Sequence, residues 1–286
     1  MANCLKREQK RSVVKALVEG NSIRSTERML EIHRDTIMRL LLVVGEACQD
    51  LLDQLIQNLN VDAIQCDEIW TFVQKKQRRL TDEEKKRRDD IGDEYVFVAM
   101  DADSKLVINH LIGKRDGYTT REFICDLSNR LNDETRPQIS SDGFESYVSA
   151  IEAEFGNTVD YGQIIKDYAS EHPGRGRYSP PRVSTVHKET ILGAPAEGDI
   201  STSYVERQNL TMRMSMRRFT RLTNGFSKKL RNLKAAVALH FAYYNFCRVH
   251  QSLKVTPAMA AKLTDHVWSV DDLLDWQPAQ VLSTAA

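Results

Sequence analysis

Three acidic residues, Asp67, Asp142 and Glu206, stand 75 and 64 residues apart in this 286-residue chain. Asp67 lies between Cys66 and the pair Ile69-Trp70, an apolar setting in which an unpaired carboxylate is strongly disfavoured. It therefore needs a partner, and a divalent cation is one candidate. Mg²⁺ prefers oxygen ligands and is often held by one or two carboxylates plus phosphate oxygens. Three carboxylates converging from separate elements at one sheet edge would hold Mg²⁺, or Mn²⁺, for phosphodiester displacement. In such sites two metals about 4 Å apart activate the attacking oxygen and stabilise the leaving one.

Each acid also has a plainer reading. Asp67 can be a hydrogen-bonded strand-end carboxylate, and Asp142, in Ser141-Asp142-Gly143, an ordinary turn or N-cap residue. Ser203 and Glu206 have the spacing of a capping box. Glu68, Asp101 and Asp103 are weaker metal candidates: strand alternation turns Glu68 away from Asp67, and the other two fit a hairpin turn.

The segment after Glu206 favours a polyanion. Between Val205 and Lys234 there are nine Lys or Arg residues and one acid, a local net charge of +8. On a continuous helix Arg213 and Arg217 return to within about 20° of the direction of Glu206, with Asn209 and Leu210 beside it. One stripe would then present a carboxylate followed by cations to a phosphate backbone. Arg207, Arg213, Arg217, Arg218 and Arg221 are candidate DNA contacts, against the alternative of a solvated basic helix.

The elements that must position these residues can be read from periodicity. Helices are expected over residues 11–18 and 23–30, followed by a tight turn at residues 31–33 and a long helix. Ile37, Leu40, Leu41, Val44, Cys48, Leu51, Leu52, Leu55 and Ile56 hold helical spacing along it. This is the plan of a helix-turn-helix, with Arg34, Thr36 and Arg39 on the first turns of the recognition helix. Residues 1–40 carry nine Lys or Arg against five Asp or Glu, which suits DNA; a small helical dimerisation or cap domain is the other reading.

From Val61 the pattern becomes that of a strand through Val73. The run 81–90 has no apolar residue and reads as a solvated loop or helix tip. Residues 94–100 and 105–112 form a hairpin about Asp101-Ala102-Asp103-Ser104. A helix capped at Thr119-Thr120 runs through Leu131, then a strand at 137–140, a helix at 144–154 and a strand at 159–165. Residues 171–182 read as a flexible basic loop, and 185–200 as loop, with a possible short strand at 184–187. A long helical segment runs from Ser203 to about Arg248, with an interruption possible at Thr223-Asn224-Gly225. Phe241, Tyr243, Tyr244, Phe246 and His250 read as packing against the sheet. The fold class is α/β, a mixed sheet flanked by helices and preceded by a small all-α domain.

Composition excludes several classes. Hydrophobic residues make up 41% and charged residues 28%, and 40 basic residues balance 40 acidic ones. A globally basic binder is thus excluded, while segregated charge is not. Five cysteines without C-x-x-C spacing argue against a zinc ribbon or disulfide framework, and residues 1–11 have no apolar signal core. A cytoplasmic protein without membrane spans is the expectation.

These residues together carry a resemblance. The run from Ile200 to Met214 (ISTSYVERQNLTMRM), Arg217 to Asn224 (RRFTRLTN) and Tyr244 to His250 (YNFCRVH) resembles the carboxy-terminal half of bacterial DDE transposases of the insertion-sequence-one type. Cys66-Asp-Glu-Ile-Trp70 and Ser141-Asp-Gly143 are similar to that family's first two acidic motifs, and residues 22–40 to its helix-turn-helix. The resemblance spans roughly residues 11–276. It implies an RNase H-like catalytic domain with Asp67, Asp142 and Glu206 as the metal-binding triad, Asp67 bridging two metals. The implied reaction is cleavage at the element's ends and joining of the 3′-hydroxyls to double-stranded target DNA, by a homo-oligomer in the DNA complex.

Some relatives carry an amino-terminal zinc-binding segment; here only Cys4 stands in that region, so end recognition would rest on the helix-turn-helix or another surface. The corresponding domains are a helix-turn-helix at 1–46, a linker helix at 47–60, a catalytic domain at 61–255 with an insertion around 160–200, and an amphipathic tail at 256–286. Two other readings stay open: a structure-selective nuclease of the same fold that never joins DNA, and a DNA-binding regulator with an inert catalytic domain.

Overall fold

Three helices open the chain: α1 (Arg7–Val18), α2 (Ile23–Leu30) and α3 (Arg34–Leu55). The computed structural model describes residues 5–168, 183–220 and 223–277. Ser22 caps α2 by accepting from the Ser25 amide, and Glu31 ends it in the left-handed conformation, φ 54°. Val13, Ile32 and Ile37 close a small apolar cluster, while Val14, Val18, Leu41 and Val44 join the main core. The helix α3 runs unbroken through residue 46 into the segment expected to be a linker.

The sheet follows as β1 (Ala63–Val73), then after α4 (Asp82–Arg87) the hairpin β2 (Gly92–Asp101) and β3 (Val107–Gly113). Helix α5 (Gly117–Arg130) leads to β4 (Gln138–Asp142), and α6 (Glu145–Phe155) to β5 (Asp160–Tyr168) and β6 (Val183–Leu192). The strand order is β3-β2-β1-β4-β5-β6. β1 is parallel to β4 and β4 to β5; the other neighbours are antiparallel. In β2, Val96 to Met100 are all buried, as expected of a strand covered on both faces. Phe123 of α5 and Tyr147 of α6 pack on Phe97 on one face. The other face meets α7 (Ser203–Ser215) on β1 and β2, while α8 (Leu230–Ala242) packs along α3 and sets Phe241 against His110 of β3. A Cβ on Gly45 of α3 would lie 2.2 Å from the Ala235 carbonyl oxygen of α8, so glycine permits this close crossing. Two short helices, α9 (Pro257–Ala260) and α10 (Val270–Asp275), close the described chain.

Several expectations change. The residues 81–90 hold the one-and-a-half-turn helix α4, exposed as expected and capped by Thr81 with Glu84. The helix α5 starts at Gly117 because Asp116, not Thr119 or Thr120, caps it, accepting from the Thr119 amide at 2.9 Å. β6 has ten residues where at most a short strand at 184–187 was expected; its pairing with β5, rather than its own largely exposed side chains, defines it. The basic loop expected at 171–182 lies outside the described residues.

The single long helix after Ser203 is two helices. Met216 is extended, φ −125° and ψ 112°, which ends α7 and carries Met216 and Phe219 inward. The chain then doubles back: a Cβ on Gly225 would lie 2.7 Å from the Arg217 carbonyl oxygen. The Gln74 amide donates to the Ser227 carbonyl at 2.8 Å, fixing this segment to the end of β1. Beyond α8, Tyr244, Asn245 and Phe246 are buried, in line with a packing role. Asn245 also pairs with β3 through both amide atoms, accepting from the Val107 amide at 3.0 Å and donating to its carbonyl at 2.9 Å. Among the described residues no helix is long and apolar enough to cross a membrane.

Candidate metal centre

The parallel pairing of β1 with β4 sets the geometry. Cys66 pairs with Ser141, so the next residues, Asp67 in the middle of β1 and Asp142 at the carboxyl end of β4, emerge level with one another. Asp67 faces α7. Two positions before it, Gln65 accepts from the Tyr204 and Val205 amides at 2.8 and 3.2 Å, docking the amino end of α7 on β1. One turn on, Asn209 donates from Nδ2 to Asp67 Oδ2 at 2.8 Å. Asp142 makes the turn its Asp-Gly context suggested, with Oδ1 accepting from the Phe144 amide at 3.1 Å, while Oδ2 remains available to the cluster.

Glu68 corrects an expectation. Its side chain does leave the opposite face of β1 from Asp67, toward α6, where Tyr147 donates to Oε2 at 3.2 Å. Yet one carboxylate oxygen from each of Asp67, Glu68 and Asp142 lies within 4.8 Å of the others. Because β4 ends at Asp142, no strand continues beside Glu68 on that side of β1, and its carboxylate reaches the end of β4, while β2 still pairs with it on the other side. Alternation fixes which way a side chain leaves the strand; it does not separate the two faces where the neighbouring strand stops.

Two of the three carboxylates, Asp67 and Glu68, are pushed toward their protonated forms. Burial first, then the charges of Glu68 and Asp142, push Asp67 up to about 7, against the Glu68 amide and Asn209, which favour its ionised form. Burial and Asp142 push Glu68 up as well, partly offset by Arg115. Arg115 donates to Glu68 Oε1 from Nε and holds Nη2 at 3.7 Å from Asp142 Oδ2. Its guanidinium also lies over the Phe144 ring, 3.9 Å from the centroid.

Glu206 stands apart from this cluster. Its carboxylate accepts from Lys166 of β5 and from the Thr202 hydroxyl, the latter at 2.8 Å. The expected capping box does not form, since Thr202 is the N-cap and Glu206 lies four residues after it. The expected triad is therefore not assembled as such: Asp67 and Asp142 meet, Glu68 joins them, and Asn209 is the α7 residue that touches Asp67.

The basic residues are also redistributed. Arg207 is exposed and Arg213 half-buried on α7, but Arg217 leaves the stripe because α7 ends at Ser215. Arg218 turns inward, donating to Ser227 Oγ at 2.7 Å, and burial lowers it to about 10. Arg221 lies outside the described residues. On α3, Arg34 and Arg39 are exposed and Thr36 half-buried.

A divalent cation fits this donor set on two observations. The donors are all oxygen, as Mg²⁺ and Mn²⁺ prefer, and Asn209 Oδ1 is a buried oxygen without a hydrogen-bond partner. Glu68 was expected only as a weaker metal candidate, and Arg115 and Asn209 were not foreseen as parts of this site. The pair Lys114-Arg115 at the exit of β3 was the available signal for the first; an asparagine within a helix gives none. No family model matches the chain, and no curated protein matches its sequence.

Proposed function

We propose that the protein is a DDE-type transposase, cutting phosphodiesters at the ends of an insertion element with Mg²⁺ or Mn²⁺ and joining the freed 3′-hydroxyls to target DNA. The observation that carries this reading is the convergence of Asp67, in mid-β1, with Asp142, at the carboxyl end of the neighbouring parallel strand β4, beside a helix bearing Glu206 and Asn209. The strand order and pairing are compatible with an RNase H-like sheet. The three amino-terminal helices, with Arg34 and Arg39 exposed at the start of α3, fit a helix-turn-helix that holds the element's terminal repeats.

Asp67 and Asp142 would hold the metal, with Glu206 within a helical turn of Asn209. When bound, a divalent cation would lower the barrier to attack by an oxygen nucleophile and stabilise the leaving oxygen. The chain's own residues do the rest. Gln65 fixes the start of α7 on β1, so Asn209 is held against Asp67. Arg207 and Arg213 supply positive charge along α7 for a phosphate backbone, as Arg217 does just beyond its end.

The test is incubation of the protein with labelled DNA carrying the sequences that flank its gene, with Mg²⁺ or Mn²⁺, beside Asp142→Asn and Asp67→Asn. Metal-dependent nicking at the element boundary with joined products is expected, reduced at least about 10³-fold in both variants. Nicking without joining would replace the reading by a nuclease. Binding without cleavage under any condition would leave a DNA-binding regulator.

A further inference from the structure

The acidic cluster is divided between two sources of positive charge. Glu68, almost fully buried, is paired with Arg115, which also reaches Asp142. Among the described residues no ion pair reaches Asp67; its side-chain partner is the neutral amide of Asn209. A carboxylate only accepts, so the amide turns Nδ2 toward Asp67 and leaves Oδ1 the free acceptor. That oxygen is buried, in a residue 5% exposed, and has no hydrogen-bond partner. It shares a planar amide with the nitrogen 2.8 Å from Asp67 Oδ2, so it lies within about 5 Å of that carboxylate oxygen.

A buried carbonyl oxygen left without a donor is unfavourable, and a cation would satisfy it. The charges give a number. Asp67, Glu68 and Asp142 against Arg115 leave a formal charge of −2, that of one divalent cation; Glu206 is already matched by Lys166.

We propose that Asp67, Asp142 and the Asn209 side-chain carbonyl form a single divalent-cation site, and that Arg115, between Glu68 and Asp142, supplies the positive charge that a second metal would otherwise bring. This rests on the metal-dependent reading above and makes it specific: one ion binds per chain in the absence of DNA, and Asn209 is one of its ligands. Arg115 is a positioning residue that keeps Glu68 from recruiting another ion.

The experiment is titration of the full-length chain with Mn²⁺ alone, followed by electron paramagnetic resonance and calorimetry, with circular dichroism to confirm that each variant is folded. The wild type should bind one ion. Asn209→Ala should weaken it about ten-fold or more, at unchanged stoichiometry, and Asn209→Asp should restore or tighten binding. Arg115→Gln should raise the stoichiometry to two, while Arg115→Lys keeps it at one.

Two ions in the wild type, or an Asn209→Ala affinity equal to that of the wild type, would overturn this inference while leaving metal dependence intact. No binding by the folded wild type at millimolar Mn²⁺ would overturn the metal-dependent reading itself. If Arg115→Gln does not fold, the wild-type stoichiometry and the Asn209 pair still decide.

Discussion

Asp67 and Glu68 are neighbours in the chain but belong to different faces of the sheet, one answering to α7 and the other to α6 and Arg115. Like charges and burial strain both, so replacing Asp67 with Asn should stabilise the metal-free protein by on the order of 1 kcal/mol, read as a higher melting temperature, even as it abolishes the cleavage proposed above. The acid limb of stability belongs to histidine. Burial, then the charges of Arg248 and His110, lower His240 to about 3, and burial first also lowers His110, to about 4. Both are therefore neutral in the folded protein below pH 6.5, where the unfolded chain takes up protons. Stability is thus full above about pH 6.5 and falls as the pH drops toward 4 and below, by about 2–3 kcal/mol at pH 4.5 for His240 alone. Urea denaturation across that range should show the slope, and His240→Leu should flatten it. At this scale Asp67 and Asp142 were legible from the sequence, because a carboxylate in an apolar strand and an Asp-Gly strand exit are both local signals. Glu68 was legible only as a weaker candidate and Asn209 not as a partner of Asp67, since the first depends on where a neighbouring strand stops and the second on how a helix is rotated.

The elements that declare themselves by period or by turn chemistry lie close to where the sequence places them: α1 to α3, the β2–β3 hairpin, β4, α6 and β5. Those that the sequence misplaces are decided at a distance. α7 ends where Met216 and Phe219 are drawn into the core, and β6 exists because β5 offers it an edge. The contact of α3 with α8 is a further case, turning on one missing Cβ. Gly45→Ala would drive a methyl into the Ala235 carbonyl and should destabilise the protein by about 1–3 kcal/mol, seen as a lower urea midpoint at unchanged m-value. Asn245→Ala would leave both Val107 backbone groups unpaired in the interior and should destabilise by about 2–4 kcal/mol in the same assay.

Across the whole molecule the charge is balanced, but locally it is not, and the ends of the chain show how the balance is kept. Arg7 and Arg11 of α1 pair with Asp271 of α10, and Arg7 also with Asp275. These exposed pairs add little to stability, yet they occupy two of the basic residues of the amino-terminal helices. Asp271→Asn with Asp275→Asn should therefore raise affinity for non-specific duplex DNA several-fold at low salt and steepen the salt dependence by up to about two charges. Fluorescence anisotropy over a salt series measures both. An unchanged slope would show that α1 does not face DNA.

The unbroken course of α3 has a mechanical meaning. Its 22 residues make a rod about 33 Å long, with the residues that start it at one end and the entry to β1 beyond the other. Such a rod transmits torque. One residue inserted near Leu40 would turn the start of α3 by about 100° relative to the sheet and pull α1 from the core and from α10, whereas seven would bring it nearly back into phase. If α1 and α2 hold DNA as proposed above, that DNA is indexed to the carboxylates by helical phase, so that a run of insertions of increasing length should impair and then recover joint action of the two ends, a periodicity that a flexible tether would erase.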